Sequence, residues 1–136
     1  MKKLLTTLFF YLIGTSYLIA EINLVCASTV YSSRIGGEIE TSDVMPSTFT
    51  VVIDKLGGNK VIARVTGSAE TGQKCSPYKG TASDVEYDFK CSRAHAEEFM
   101  KINRISGKFT NNEHIPGKSE WLIQTSGSCR KGSQRF

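Results

Sequence analysis

The sequence predicts an all-β fold, an antiparallel small barrel or sandwich of about 7–8 short strands, with an N-terminal signal helix ahead of it. Three features point there. After Ala20 the chain breaks into short stretches of alternating apolar and polar residues, the period of half-buried strands. Gly, Pro, Asn and Asp punctuate those stretches, and no long helical period appears. Four cysteines, Cys26, Cys75, Cys91 and Cys129, follow a leader-like start, so an oxidising compartment and two disulfides are expected.

Met1-Lys2-Lys3 is cationic, Leu4 to Ala20 carries no charge, and Glu21 ends the run. A charged start, an apolar middle and a small residue before the cut form the signal-peptide pattern. The expected division is residues 1–20 as signal peptide and 21–136 as a single disulfide-stapled β domain. A cut after Ser16 is the alternative, and an uncleaved anchor is the competing reading, weakened by Gly14, Thr15 and Ser16. Lipidation at Cys26 fits poorly, because Val25 stands where a small residue is wanted. Of 17 basic and 13 acidic residues, Lys2 and Lys3 belong to the leader, which leaves a net charge of only +2 on the remainder. Basic residues do not interleave with aromatics in a stripe, so nucleic acid is not an expected partner. The one basic cluster is the tail, Arg130-Lys131 and Arg135.

Ile22, Leu24 and Cys26 share one parity and start a strand that continues towards Tyr31. Residues 32–46 are polar with a Gly-Gly pair and read as a long loop. Residues 48–66 give the clearest hairpin. Phe49, Val51 and Ile53 form one face, Val61, Ala63 and Val65 the returning face, and Gly57-Gly58 supplies the turn. Residues 72–78 are cut short by Pro77. Residues 84–91 alternate cleanly, with Val85, Tyr87, Phe89 and Cys91 inside and Glu86, Asp88 and Lys90 outside. Residues 93–98 favour one helical turn. Phe99 to Ile102 and Lys108 to Thr110 flank a glycine-bearing turn at Asn103–Gly107, residues 111–117 read as a loop, and Ser119 to Cys129 closes the domain.

Spacing favours the pairs Cys75–Cys91, around a hairpin turn, and Cys26–Cys129, tying the first strand to the last. Cys26–Cys91 with Cys75–Cys129 remains the competing connectivity. A metal site is disfavoured, since no C-x-x-C or close Cys/His pair occurs.

The Leu24-Val25-Cys26 start, the Phe49 to Val65 hairpin with its Ile53-Asp54 corner, the Ile102 to Gly107 turn and the Cys129-Arg130-Lys131 ending with Arg135-Phe136 resemble a loose group of small exported, periplasmic β-rich proteins of proteobacteria. The resemblance implies a β-rich envelope protein and transfers no catalytic residue.

His95 and His114, with Glu97 or Glu113 nearby, could in principle form a metal site or an acid–base pair, but both lie in polar, loop-like segments. No G-x-S-x-G occurs, and Thr125-Ser126-Gly127-Ser128-Cys129 reads as a strand end. The carboxylates Glu86 and Asp88 read as a solvent face, and Glu97-Glu98 is a second acidic pair. No cofactor motif is present. Tyr31, Tyr78 and Trp121 fall near loop or strand ends and form a candidate recognition surface, although core packing is the preferred reading of Trp121. The segments are too charged for membrane strands despite the terminal Phe136, so no stable membrane insertion is expected after leader removal. The functional expectation is a periplasmic or secreted, non-enzymatic binding or interaction module for a protein or small ligand of the cell envelope. The alternatives are a small hydrolase or metal-dependent enzyme using His95 or His114, and a structural envelope component.

Overall fold

A computed structural model of the chain describes residues 21–67 and 77–132. Eight strands are present there: β1 (Ile22–Ile35), β2 (Glu38–Gly57), β3 (Lys60–Thr66), β4 (Tyr78–Ala82), β5 (Glu86–Ser92), β6 (Glu97–Asn103), β7 (Lys108–His114) and β8 (Trp121–Lys131). Each pairs antiparallel with the next, and β8 returns to pair with β1. The sheet is therefore a closed barrel, which decides between the two expected architectures. The expected signal helix, Cys75, Arg135 and Phe136 fall outside the described residues.

Up-and-down order places the β2–β3, β4–β5 and β6–β7 turns at one end of the barrel, together with Glu21 and Lys131. We call this the near end. The β1–β2, β5–β6 and β7–β8 turns lie at the far end.

The core follows from period-2 alternation around the closed sheet. Leu24 and Cys26 on β1 stand opposite Val51 and Phe49 on β2, and Val51 and Ile53 stand opposite Val65 and Ala63 on β3. On the other wall Tyr87 and Phe89 of β5 oppose Ile102 and Met100 of β6, and Ile102 opposes Phe109 of β7. Phe89, Ile53, Ile102, Val51, Val61 and Cys26 are fully buried. The alternation read from residues 48–66 thus appears as β2 and β3, with Gly57 and Gly58 at positive φ. Outside, Glu86 and Asp88 share Lys101 at 3.6 and 3.7 Å, and Lys90 meets Glu97 at 3.5 Å.

Several expectations need correction. Residues 32–46 are not a loop: β1 and β2 run on through them as a long hairpin, turning at Gly36-Gly37. That arm is polar, so it lacks the apolar period that marks a strand. Two strands, of 14 and 20 residues, are consequently not short. Val85 is not inside but exposed in the β4–β5 turn. Residues 93–96 form a tight turn rather than a helical one, closed by the Arg93 N–H donating to the Ala96 carbonyl at 2.7 Å. Residues 111–114 belong to β7, not to a loop.

Cys26 and Cys129 are cross-strand partners on β1 and β8 and are joined by a disulfide across 103 residues of sequence. This is the expected first-to-last staple. Cys91 is also disulfide-bonded.

Gly127 lies beside this seam, opposite Phe109 on one side and Ser28 on the other. A Cβ there would collide with the Ala27 carbonyl and with the Phe109 ring. Phe109 occupies that space and meets Phe49 edge-on at 5.4 Å. Gly127→Ala is therefore expected to destabilise the barrel by about 1–3 kcal/mol, read as a lowered urea midpoint, while Ser128→Ala, at an exposed neighbour, stays within about 0.5 kcal/mol.

Candidate functional site

Both ends of the barrel hold polar groups against its core, and the near end opens as a cleft. The sequence Asn103-Arg104-Ile105-Ser106-Gly107 builds its wall. Asn103 Oδ1 accepts the backbone N–H groups of Ile105 (2.9 Å) and Ser106 (2.8 Å), an Asx turn that fixes the loop locally. Gly107 follows at φ 74°, a left-handed value that a Cβ disfavours. Its carbonyl accepts the Cys129 N–H at 2.7 Å, which ties the loop to the disulfide seam. Arg104 is fixed from the other side: its backbone N–H donates to the Val85 carbonyl at 2.8 Å, and its guanidinium donates to the Ser83 carbonyl and lies 4.8 Å from the Tyr87 ring centre.

The resulting cleft has a volume of about 340 Å³, within the range of small-ligand sites. Its floor is apolar, from Ile22, Leu24, Tyr87 and Ile102, with Cys129 beside them. Its rim carries Arg104, Arg130 and Lys131. An apolar floor under a cationic rim suits a ligand with one anionic group and a hydrocarbon body.

The far end holds a part-buried ionic cluster that composition alone does not reveal. Glu98 of β6 and Glu113 of β7 are directly opposed, a pairing that is unfavourable for like charges unless bridged. Arg93, from the β5–β6 turn, bridges them, with Nη2 3.4 Å from an oxygen of each. Tyr78 of β4 donates its hydroxyl to Glu98 Oε2 at 2.9 Å, and Asn111 lies against the same hydroxyl. Burial first, and the Glu98 charge second, hold the Tyr78 hydroxyl well above its ordinary range, so it acts as a neutral donor. Arg93 Nε and Asn111 Oδ1 are buried without a hydrogen-bond partner among the described residues. One guanidinium thus serves both carboxylates.

The expected site residues are scattered. Tyr78 is not on the surface: it is buried inside the barrel, because its parity on β4 matches that of Ala63, its partner on β3. Tyr31 is exposed on β1. Trp121, at the start of β8, lies under the Arg34 guanidinium at 4.9 Å, itself paired with Glu120 at 3.3 Å. The three do not make one recognition surface. His95 is exposed in the β5–β6 turn. His114 packs edge-on against Phe99 at 4.9 Å, with Nδ1 3.3 Å from the Lys118 carbonyl. Among the described residues no metal-holding group of His, Cys, Asp and Glu occurs. Sequence reasoning missed Arg93 and Glu98 as a pair. The signal was the parity of Glu98 with Met100 and Ile102, which places Glu98 on the core face.

No family model matches the sequence, and no curated protein or solved structure is significantly similar to the chain.

The Tyr78 proton gives a testable pH dependence. Unfolded tyrosine titrates near pH 10, and the folded group lies above that value. Its contribution is complete below about pH 10 and declines as pH rises beyond it. Tyr78→Phe is expected to cost about 1–3 kcal/mol at neutral pH by leaving Glu98 short of a buried donor. In urea unfolding at rising pH it should also lose stability less steeply above about pH 10 than the unaltered chain; equal slopes would contradict the assignment.

Proposed function

We propose that the chain is a non-enzymatic binding module that takes a small amphiphilic anion in the near-end cleft. The observation that carries this reading is the joining of the apolar floor of Leu24, Tyr87 and Ile102 to the cationic rim of Arg104, Arg130 and Lys131 in one cleft. Pre-organisation supports it, since the wall is fixed by the Asn103 turn and the Cys129 tether before any ligand arrives. The disulfides accord with an oxidising compartment, and with the cationic, uncharged-core leader pattern they support a periplasmic or secreted location. The outward Glu86, Asp88, Lys90 and Lys101 support an aqueous setting for the barrel wall.

Calorimetric titration with octanoate, and with octanol as its uncharged counterpart, tests the reading. Octanoate is expected to bind saturably and roughly tenfold more tightly than octanol. Arg130→Gln with Lys131→Gln should erase that preference and leave thermal unfolding unchanged. Absence of saturable octanoate binding would refute the reading.

A further inference from the structure

The same end of the barrel has a second property, independent of whether the cleft is filled. Each of its three turns projects one exposed aliphatic side chain: Leu56 (58%) beside the β2–β3 turn, Val85 (50%) in the β4–β5 turn and Ile105 (79%) in the β6–β7 turn. A single exposed aliphatic is ordinary. Three on the successive tips of one barrel end define a plane. The turns are also linked: Ala82 N–H donates to the Asn59 carbonyl, and Arg104 N–H to the Val85 carbonyl, both at 2.8 Å.

Charge surrounds that plane asymmetrically. Lys55 and Lys60 flank the first tip, Arg104 and Lys108 the third, and Arg130 and Lys131 end β8 beside them; all six are exposed. The acids of this end are largely engaged, Glu21 and Asp54 by Arg64 at 3.1 and 3.2 Å and Glu86 by Lys101 at 3.6 Å. Asp84, in the second tip, is exposed. The far end also exposes Ile39, Ile115 and Leu122, but Glu38, Glu40, Asp43 and Glu120 are exposed there too.

We infer that the near end docks peripherally on an anionic lipid surface, with Leu56, Val85 and Ile105 entering the interfacial layer and the six surrounding cations meeting headgroup phosphates. Apolar insertion combined with a basic patch is the pairing that gives stable peripheral attachment, where either alone is weak. The barrel axis stands on the membrane, and the acidic far end points away from it. Docking would also bring the cleft mouth to the acyl–headgroup boundary, where an amphiphilic anion resides.

The test is sedimentation of the full chain with vesicles of phosphatidylglycerol and phosphatidylcholine, set against vesicles of phosphatidylcholine alone. Binding is expected to favour the anionic vesicles and to weaken with salt. Leu56→Ser, Val85→Ser and Ile105→Ser combined should weaken it at least tenfold, and Arg130→Gln with Lys131→Gln roughly twentyfold. Orientation is read by fluorescence. Trp121, the chain's one tryptophan, lies at the far end and should escape quenching by brominated acyl chains, whereas a tryptophan introduced by Ile105→Trp should be quenched. Equal binding to both vesicles that ignores the tip substitutions, quenching of Trp121, or burial of the tips in a dimer of this chain on ultracentrifugation would overturn the proposal. Because Leu56 and Val85 do not line the cleft, Leu56→Ser with Val85→Ser should weaken vesicle binding and spare octanoate binding, which separates failure of docking from failure of the cleft.

Discussion

An antiparallel meander of eight strands becomes a barrel only where its first and last strands meet, and that meeting is the most expensive contact in the chain. Every other ladder joins neighbours in sequence; β1 and β8 are brought together across the length of the domain. Loop-closure entropy makes such a contact the first to open. The Cys26–Cys129 disulfide holds the two strands together at directly opposed positions, and in the chain-entropy model a closed loop of this length contributes about 4–5 kcal/mol. That is a large share of the roughly 5–15 kcal/mol by which a domain is folded. Ladder hydrogen bonds and core packing then follow from closure, since a closed sheet has no edge and buries its inner parity on all sides.

The seam also sets the geometry of the near end. Cys129 donates its N–H to Gly107, so the loop that walls the cleft is referenced to the disulfide rather than left free. Gly127, two residues earlier, lets β8 approach β1 while Phe109 fills the space its side chain would have taken. The near-end cleft and the three turn tips are consequently held on one rigid frame. At the far end the interior turns polar, and order is kept by Arg93 between Glu98 and Glu113 and by the Tyr78 hydroxyl donating to Glu98. The two ends of one barrel thus carry different chemistry.

The apolar half of the barrel was legible in the sequence, because alternation in residues 48–66 and 84–91 reports a buried parity directly. The Cys26–Cys129 staple was legible for a related reason: both cysteines fall on terminal strands. What escaped was structure without apolar period. The β1–β2 arm is polar over residues 32–43 and pairs mainly through its backbone. The end of β7, Asn111 to His114, points Asn111 and Glu113 at polar partners inside, so the apolar parity that marks Phe109 stops there. Tyr78 and Val85 were misplaced because strand boundaries fell a few residues from where the punctuation put them: Tyr78 opens β4 rather than ending a segment cut by Pro77, and Val85 shares the parity of Tyr87 but stands in the turn just before β5. The cleft was not legible at all. Its residues come from both chain ends and a distant turn, and only closure of the seam assembles them.

The most direct test of that dependence is residue-resolved hydrogen exchange in the Cys26→Ala, Cys129→Ala protein compared with the unaltered chain. If the staple governs closure, amides in the β1–β8 ladder and the tethered Gly107 loop lose protection first and most, while those of β5 and β6 remain the best protected in the barrel. Protection of the β1–β8 amides equal to that in the unaltered chain would contradict the account.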